Sequence, residues 1–193
     1  QRDTAGVAAR PLYAVEGEIR RGYLTLAGGH RLGLAGEAVV SASEVVNLKH
    51  ISAVHIRIAH EIKGCADRLV PHVYRDGQRP FHTLVVGPPG SGKTTLLRDL
   101  VRQLSDGDAR ANRPGLHCVV ADERSEIAGT YRGQAQLDVG QRTDVIDGAA
   151  KAAAMAMAVR SLAPDVIATD EIGAAEDVPT ALDVLRCGVT LIA

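Results

Sequence analysis

One eight-residue segment near the middle of the chain constrains the fold more than any other feature. Residues 87–94 read GPPGSGKT and match the phosphate-binding loop pattern G-x-x-x-x-G-K-[ST], or Walker A motif, at every fixed position. The glycines let the backbone turn sharply and present its N–H groups inward, Lys93 supplies a mobile charge for the β- and γ-phosphates, and the Thr94 hydroxyl can ligate Mg²⁺. The predicted nucleotide-binding residues are Gly87, Pro88, Pro89, Gly90, Ser91, Gly92, Lys93, Thr94 and Thr95.

The segments on either side of this loop fit the same interpretation. Residues 83–86 (TLVV) form a short apolar run, which is typical of a buried strand. Residues 95–104 place their apolar side chains at helical spacing, and a helix that starts at the loop directs its amino terminus toward a bound anion. Strand, loop and helix thus follow one another in the order that this motif requires.

The chain beyond about residue 80 alternates strand and helix patterns. Strands are predicted at 116–121, 166–169 and 189–192, and helices at 148–162 and 174–186, whereas 129–142 is glycine-rich and polar without clear periodicity. Strands separated by helices imply a parallel sheet covered on both faces. We therefore predict an α/β fold with a RecA-like P-loop NTPase core, and we interpret the core as C-terminally incomplete because its pattern stops within a strand.

The first part of the chain has a strand-rich pattern of its own. Residues 23–34 read as a hairpin around the turn Gly28-Gly29-His30. Residues 51–58 alternate between apolar and polar side chains, which places Val54, Ile56 and Ile58 on one face of a further strand.

A helix and a polar turn follow these strands. Residues 61–73 carry a helical apolar face, in which Pro71 must lie at a kink or end the helix early. The polar turn at 76–80 is the expected domain junction. We therefore assign 1–76 to a smaller α+β N-terminal domain and 77–193 to the P-loop ATPase domain.

Two acidic pairs follow predicted strands of the core. Asp170 and Glu171 come after 166–169 in the form of a Walker B motif, where Asp170 would hold Mg²⁺ beside Thr94 and Glu171 would deprotonate the attacking water. Asp122 and Glu123 come after 116–121, and the carboxyl ends of parallel strands face the same ligand crevice. Glu123 is therefore a rival or helper of Glu171, and Asp122 is an indirect partner of the metal.

Arginine side chains can neutralise the charge of the transition state, in the same subunit or from a neighbour. The candidates are Arg57, Arg124, Arg132 and Arg142, of which Arg57 and Arg142 are preferred as arginine fingers. The seven histidines form no pattern that predicts a zinc site.

Composition is consistent with a nucleotide-binding enzyme of the cytosol. A formal net charge of −1 and an aromatic content of 3% disfavour direct nucleic-acid binding. No apolar run is long enough to span a bilayer, and the three scattered cysteines indicate a reducing compartment. The first residues do not resemble a signal peptide and include no initiator Met, so we interpret the chain as a fragment.

Taken together, the motifs of this chain resemble the stage III sporulation protein AA family. The likeness runs from about residue 15 to the end and is carried by GYLTL and GGHRLGLAG in 22–36, IRIA and EIKGCAD in 56–67, GPPGSGKTTLLRD in 87–99, DERSEIAG in 122–129, DVGQRTDVIDG in 138–148 and SLAPDVIATDEIG in 161–173. Residues 149–152 depart from glycine-rich Cys-Gly motifs of some relatives, at positions that look like helix filling.

The resemblance implies a sporulation ATPase related to type II and type IV secretion ATPases, with ATP and Mg²⁺ as its cofactors. It implies a homo-oligomer in the form of a hexameric ring, which lies at the membrane on the cytoplasmic, mother-cell side. Its partners would be membrane-embedded proteins of the channel complex that links mother cell and forespore. By the same likeness, 122–126 occupies the place of an acidic box, and 177–193 leads to a threonine-and-histidine sensor.

Two other functions stay open. One is a nucleic-acid-dependent ATPase of the RecA-like class, against which the charge and the few aromatic residues count. The other is a non-hydrolysing assembly module that binds nucleotide, in which Glu171 has no catalytic role.

Overall fold

The computed structural model describes residues 17–20, 22–75 and 79–193, and these form two units. The described residues up to His60 form the first unit together with Gly129–Gln136, and Glu61–Ala128 forms the second together with Leu137–Ala193. The predicted boundary between 76 and 77 falls on residues 76–78, outside the described part of the chain.

The first unit contains a three-stranded antiparallel sheet in the order β1-β2-β3. Its strands are β1 (Tyr23–Thr25), β2 (Arg31–Ser41) and β3 (Glu44–Arg57). The predicted hairpin is confirmed, since Tyr23 pairs with Gly33 across the turn. The apolar face predicted for 51–58 is exposed to solvent, since Val54, Ile56 and Ile58 are each more than half exposed.

The helix predicted at 61–73 is wrong over most of its length. Residues 63–69 form turns, and only α1 (Val70–Val73) is helical, with a proline in its first turn. Pro71 has no N–H and crowds the preceding turn, so it is tolerated at a helix start and not in the interior. Pro71 therefore suits the start of a helix, whereas an uninterrupted helix over 61–73 would place it in the interior.

The second unit contains a parallel sheet with helices. The other elements are β4 (Tyr74–Arg75), β5 (Arg79–Pro80), α2 (Lys93–Asp106), a 3₁₀ turn (Ala109–Ala111), β6 (Cys118–Asp122), β7 (Thr143–Asp147), α3 (Lys151–Ser161), β8 (Val166–Thr169), α4 (Asp177–Arg186) and β9 (Thr190–Ile192). β4 and β5 pair in a small antiparallel ribbon, and the main sheet has the order β7-β6-β8-β9. The α/β prediction is confirmed.

Both faces of this sheet are covered, as predicted for parallel strands. Cys118 and Val120 of β6 face a cluster that contains Leu100 and Leu104 of α2. Val119 of β6 faces the opposite cluster, which contains buried side chains of α3 and α4. Alternate residues of one strand therefore fill two apolar layers, because successive side chains point to opposite faces.

Two details of the sheet differ from the prediction. β7 was not predicted, because its sequence TDVID has few apolar residues and its side chains are half-buried or exposed. The segment 83–85 runs beside β9, with Thr83 and Val85 donating backbone hydrogen bonds to the Leu191 and Ala193 carbonyls. β9 therefore lies between this segment and β8. The buried strand predicted at 83–86 is wrong, because this segment has only an isolated bridge, between Thr83 and Ile192, and Leu84 and Val86 are 68% and 84% exposed.

Candidate nucleotide-binding site

The phosphate-binding loop joins the segment beside β9 to α2. Gly90 and Gly92 have φ angles of 75° and 89°, which lie in the left-handed region where glycine is favoured. Gly92 is the N-cap of α2, so the helix begins directly at Lys93 and its amino end faces the loop. The Lys93 ammonium donates hydrogen bonds to the Gly87 and Pro88 carbonyls at 2.8 and 3.0 Å, which holds the cation within the loop.

Helix α2 brings Thr94 to the carboxyl end of β8. The Thr94 hydroxyl donates a 2.8 Å hydrogen bond to Oδ1 of Asp170, although β9 separates β8 from the segment that precedes the loop. Burial raises the pKa of Asp170, the Thr94 hydrogen bond lowers it, and the adjoining Glu126 carboxyl raises it. A hydroxyl oxygen and a carboxylate oxygen, both of which can bind a metal ion, are thus in contact in the second unit.

This pair fits a magnesium–nucleotide complex. Mg²⁺ prefers oxygen ligands and takes one or two from the protein, with phosphates and water completing its shell. Thr94 supplies a hydroxyl and Asp170 a carboxylate. Within the described residues, no three His, Cys, Asp or Glu side chains cluster in a way that could hold a metal ion.

Asp122 has a structural role that the sequence analysis did not predict. Its carboxylate accepts hydrogen bonds from the backbone N–H groups of Glu126, Ile127 and Ala128 at 2.8–3.0 Å. Arg98 of α2 fastens the same loop by donating to the Glu126 and Ile127 carbonyls. Asp122 therefore builds the acidic loop. Its predicted place as an indirect partner of the metal stays a prediction.

The two candidate bases lie at the same edge of the sheet. Ala121 pairs with Thr169 in the parallel ladder, so Glu123 and Glu171 each stand two residues past paired positions. Parallel pairing thus brings together two glutamates that are far apart in sequence. This edge is the carboxyl edge at which α/β proteins bind ligands.

A lysine that the sequence analysis treated as helix filling lies between these glutamates. Lys151, the first residue of α3, has a side chain only 10% exposed, with Nζ 3.5 Å from Oε2 of Glu123 and 3.4 Å from Oε1 of Glu171. Nζ is also 3.9 Å from Oδ2 of Asp177, at the start of α4. Its only sequence signal was a cation at the start of an alanine-rich helix, which did not distinguish it from a surface lysine.

The structure separates the candidate arginines. Arg124 has Nη2 3.7 Å from Oε1 of Glu171, and its side chain is exposed. Arg142 precedes β7, at the amino edge of the parallel sheet, whereas Glu171 follows the carboxyl end of β8. Since a five-residue strand spans about 16 Å, Arg142 cannot serve the site of its own chain. Arg57 and Arg132 belong to the first unit.

The chain matches one family over nearly its full length. The family model described as "Sporulation stage III, protein AA" matches residues 2–193. Stage III sporulation protein AA of Bacillus subtilis (strain 168) is 44% identical over 181 residues, which are 94% of this chain and 58% of that protein. The chain thus spans a little over half the length of this relative.

Two solved structures share the fold. The Legionella pneumophila ATPase DotB superposes with a TM-score of 0.53 at 17% identity, over 84% of this chain and 41% of DotB. The pilus retraction motor PilT, crystallised with ADP, superposes with a TM-score of 0.51 at 21% identity, over 84% of this chain and 42% of PilT. At these identities the similarity shows a fold shared with DotB and PilT.

Proposed function

This chain belongs to the Sporulation stage III, protein AA family, and on that basis we propose that it is part of an ATPase that drives or assembles a secretion-like channel during sporulation. The reaction is ATP plus water to ADP plus phosphate. The observation that carries the proposal is the 2.8 Å contact between Thr94 of a complete phosphate-binding loop and Asp170 at the end of a core strand. That pair is suited to the magnesium of a nucleotide complex.

The proposed roles follow from position. The backbone N–H groups of Gly87 and of residues 90–92, together with the Lys93 ammonium, bind the phosphates. Thr94 and Asp170 hold Mg²⁺, which would neutralise charge on the phosphates. Glu171 accepts a proton from the attacking water, and Glu123 is its rival, because both lie at the carboxyl edge within reach of Lys151.

The wider setting is proposed from the family and the fold. We place the protein in a homo-oligomeric ring at the cytoplasmic face of the membrane, with membrane-embedded channel proteins as partners. Within the described residues, no helix combines the length and apolar character needed to cross a bilayer. Arg142 at the amino edge of the sheet is suited to act on a neighbour's site and not on its own.

Nucleotide binding is tested first, by calorimetry with ATP and Mg²⁺. Lys93→Ala removes the loop's cation, and we expect binding to be abolished or strongly weakened. Equal affinity of variant and parent would show that the loop is not the phosphate site.

Hydrolysis is tested separately, by turnover with Glu171→Gln and Glu123→Gln. Loss of a general base typically costs about 10²–10⁴-fold in rate. Glu171→Gln is therefore expected to bind ATP as the parent does, with a rate of hydrolysis lower by that factor. Normal turnover by Glu171→Gln together with failure of Glu123→Gln would transfer the role to Glu123. Binding without hydrolysis by the parent in every oligomeric fraction would favour the assembly module.

A further inference from the structure

A cavity of about 410 Å³ adjoins the phosphate-binding loop, and the roles above leave the apolar part of its lining unused. One wall consists of loop and helix-start residues, including Gly92 and Thr95. The other wall is apolar and contains Ile62, Val86 and Leu96, with the Cys65 thiol among them. Its volume lies within the range of about 300–1,000 Å³ that is usual for small-molecule sites.

Large apolar side chains on this wall stand in water. Ile62 is 60% exposed and Val86 is 84% exposed, next to a loop whose chemistry is that of anion binding. A phosphate group gains nothing from such a wall, whereas a flat aromatic ring gains from covering it. The combination of an anion loop and an adjacent apolar wall suits a ligand with a charged end and an aromatic end.

The apolar wall is fastened to the helix that carries the loop. The Ala66 N–H donates a 2.9 Å hydrogen bond to Asp99 of α2, and Gln103 of α2 donates to Asp67 at 2.8 Å. The Cys65 thiol donates to the Thr95 carbonyl at 3.6 Å. The turn at 62–67 therefore keeps its place relative to α2, so the cavity is built before any ligand arrives.

We propose that this cavity receives the purine base of the nucleotide whose phosphates the loop binds, an inference that rests on the proposed function. Outside the loop and the first turn of α2, the one polar side chain among the described lining residues is Cys65, and its thiol donates to the Thr95 carbonyl. The hydrogen-bonding edge of the base thus faces water. Selection is by ring size, so ATP and GTP bind within about tenfold of each other and a pyrimidine nucleotide binds more weakly.

The first test measures protection of Cys65 from a maleimide in the full chain, read for each peptide by mass spectrometry. Saturating ATP–Mg²⁺ or GTP–Mg²⁺ is expected to slow labelling of Cys65 at least tenfold. Tripolyphosphate, which has the phosphates without a base, leaves the rate within twofold. Cys187 is exposed and lies outside the cavity, so it serves as the internal reference for reagent activity.

The second test measures affinity after removing part of the wall. Ile62→Ala is expected to weaken ATP binding about three- to tenfold, because it deletes methyl and methylene groups that a base would cover. Binding of tripolyphosphate stays unchanged. Leu182→Ala is the matched control, since Leu182 is a 49% exposed aliphatic residue of α4 that does not line the cavity.

The outcomes separate this inference from the proposed function. If tripolyphosphate protects Cys65 as well as ATP, or if Ile62→Ala weakens both ligands equally or neither, the base lies elsewhere and only this inference falls. A preference above a hundredfold for ATP over GTP would also overturn it. If neither ATP nor tripolyphosphate binds the full chain, the proposed function fails and this inference fails with it.

Discussion

Replacing Lys151 by methionine tests whether one buried cation organises both candidate bases. The change keeps an unbranched side chain, one atom shorter, and removes the charge that lies 3.4–3.9 Å from carboxylates of Glu123, Glu171 and Asp177. Without the ammonium these three carboxylates repel one another at the edge of the sheet. We expect the two glutamates to leave their present positions and turnover to fall.

The magnitude follows from how exposed each partner is. Removing one member of a buried pair costs about 3–5 kcal/mol, whereas exposed pairs contribute about 0–1 kcal/mol. Glu171 and Glu123 have side chains 57% and 38% exposed, so the ion pair of each with Lys151 is expected to contribute close to the roughly 0–1 kcal/mol of an exposed pair. Asp177 is 4% exposed but also accepts the Gly173 and Ala174 N–H groups. We therefore expect the free energy of unfolding to fall by about 1–3 kcal/mol, or Tm to fall by about 2–12 °C.

The effect on catalysis is expected to exceed the effect on binding. A reacting group displaced by about 1 Å typically loses on the order of 10²-fold in rate, so Lys151→Met should lower kcat about 10- to 100-fold. ATP affinity should stay within about twofold, because Lys151 does not line the phosphate-binding loop. Lys151→Arg keeps the cation and should restore at least a third of the rate. Lys49→Met is the control, since Lys49 is an exposed lysine of β3 in the first unit.

Combining Lys151→Met with each glutamine variant identifies the glutamate through which the lysine acts. If Lys151→Met lowers kcat in the Glu123→Gln background but not in the Glu171→Gln background, the lysine positions Glu171. The reverse result assigns the role to Glu123. Unchanged kcat of Lys151→Met, or a rate loss fully explained by unfolding at the assay temperature, would refute the reasoning.

Three further predictions concern the scaffold of the site. Asp99→Ala should lower the free energy of unfolding by about 2–4 kcal/mol in a denaturant titration, because it leaves the Ala66 N–H unpaired beneath the cavity wall. Burial opposes ionisation of Asp99, but hydrogen bonds from Ala66, Arg102 and Gln103 hold its pKa below the usual value. The contribution of Asp99 to the free energy of unfolding is therefore present above the pKa that Asp99 has in the unfolded chain. It is lost as the pH falls through the lower pKa that Asp99 has in the folded chain. Parallel plots of stability against pH for the parent and for Asp99→Ala would contradict this. Burial raises the pKa of Cys118 to about 12, so its labelling by iodoacetamide in the native chain should be at least a hundredfold slower than that of Cys65, and comparable rates would show that the core opens there. Gly140→Ala should lower Tm by several degrees, because φ is 92° and the added Cβ would lie 2.6 Å from Cβ of Ser105. An unchanged Tm would show that the backbone around Gly140 can shift at little energetic cost.

The sequence by itself determined the phosphate-binding loop, the fold class and the family. Each of these is written in contiguous residues. GPPGSGKT needs no distant partner to be recognised, and the alternation of apolar strands with helices along 83–192 is a local pattern that implies a covered parallel sheet. The pairing of Asp170 with Thr94 was also predicted, because a carboxylate after a buried strand and a hydroxyl after the loop lie at the same edge of such a sheet.

Only the tertiary structure decided which side chains surround the candidate bases. Lys151 meets Glu123, Glu171 and Asp177 because β6, β7 and β8 end side by side, and strand order is a property of hydrogen bonding between segments far apart in the chain. β7 itself lies at the edge of the sheet, where its half-buried residues carry no apolar run for the sequence to reveal. The cavity wall at 62–67 likewise depends on Asp99 and Gln103 of a helix some thirty residues later. Local sequence patterns predict which residues belong to such a site, whereas long-range packing and ion pairing decide which of their side chains are in contact.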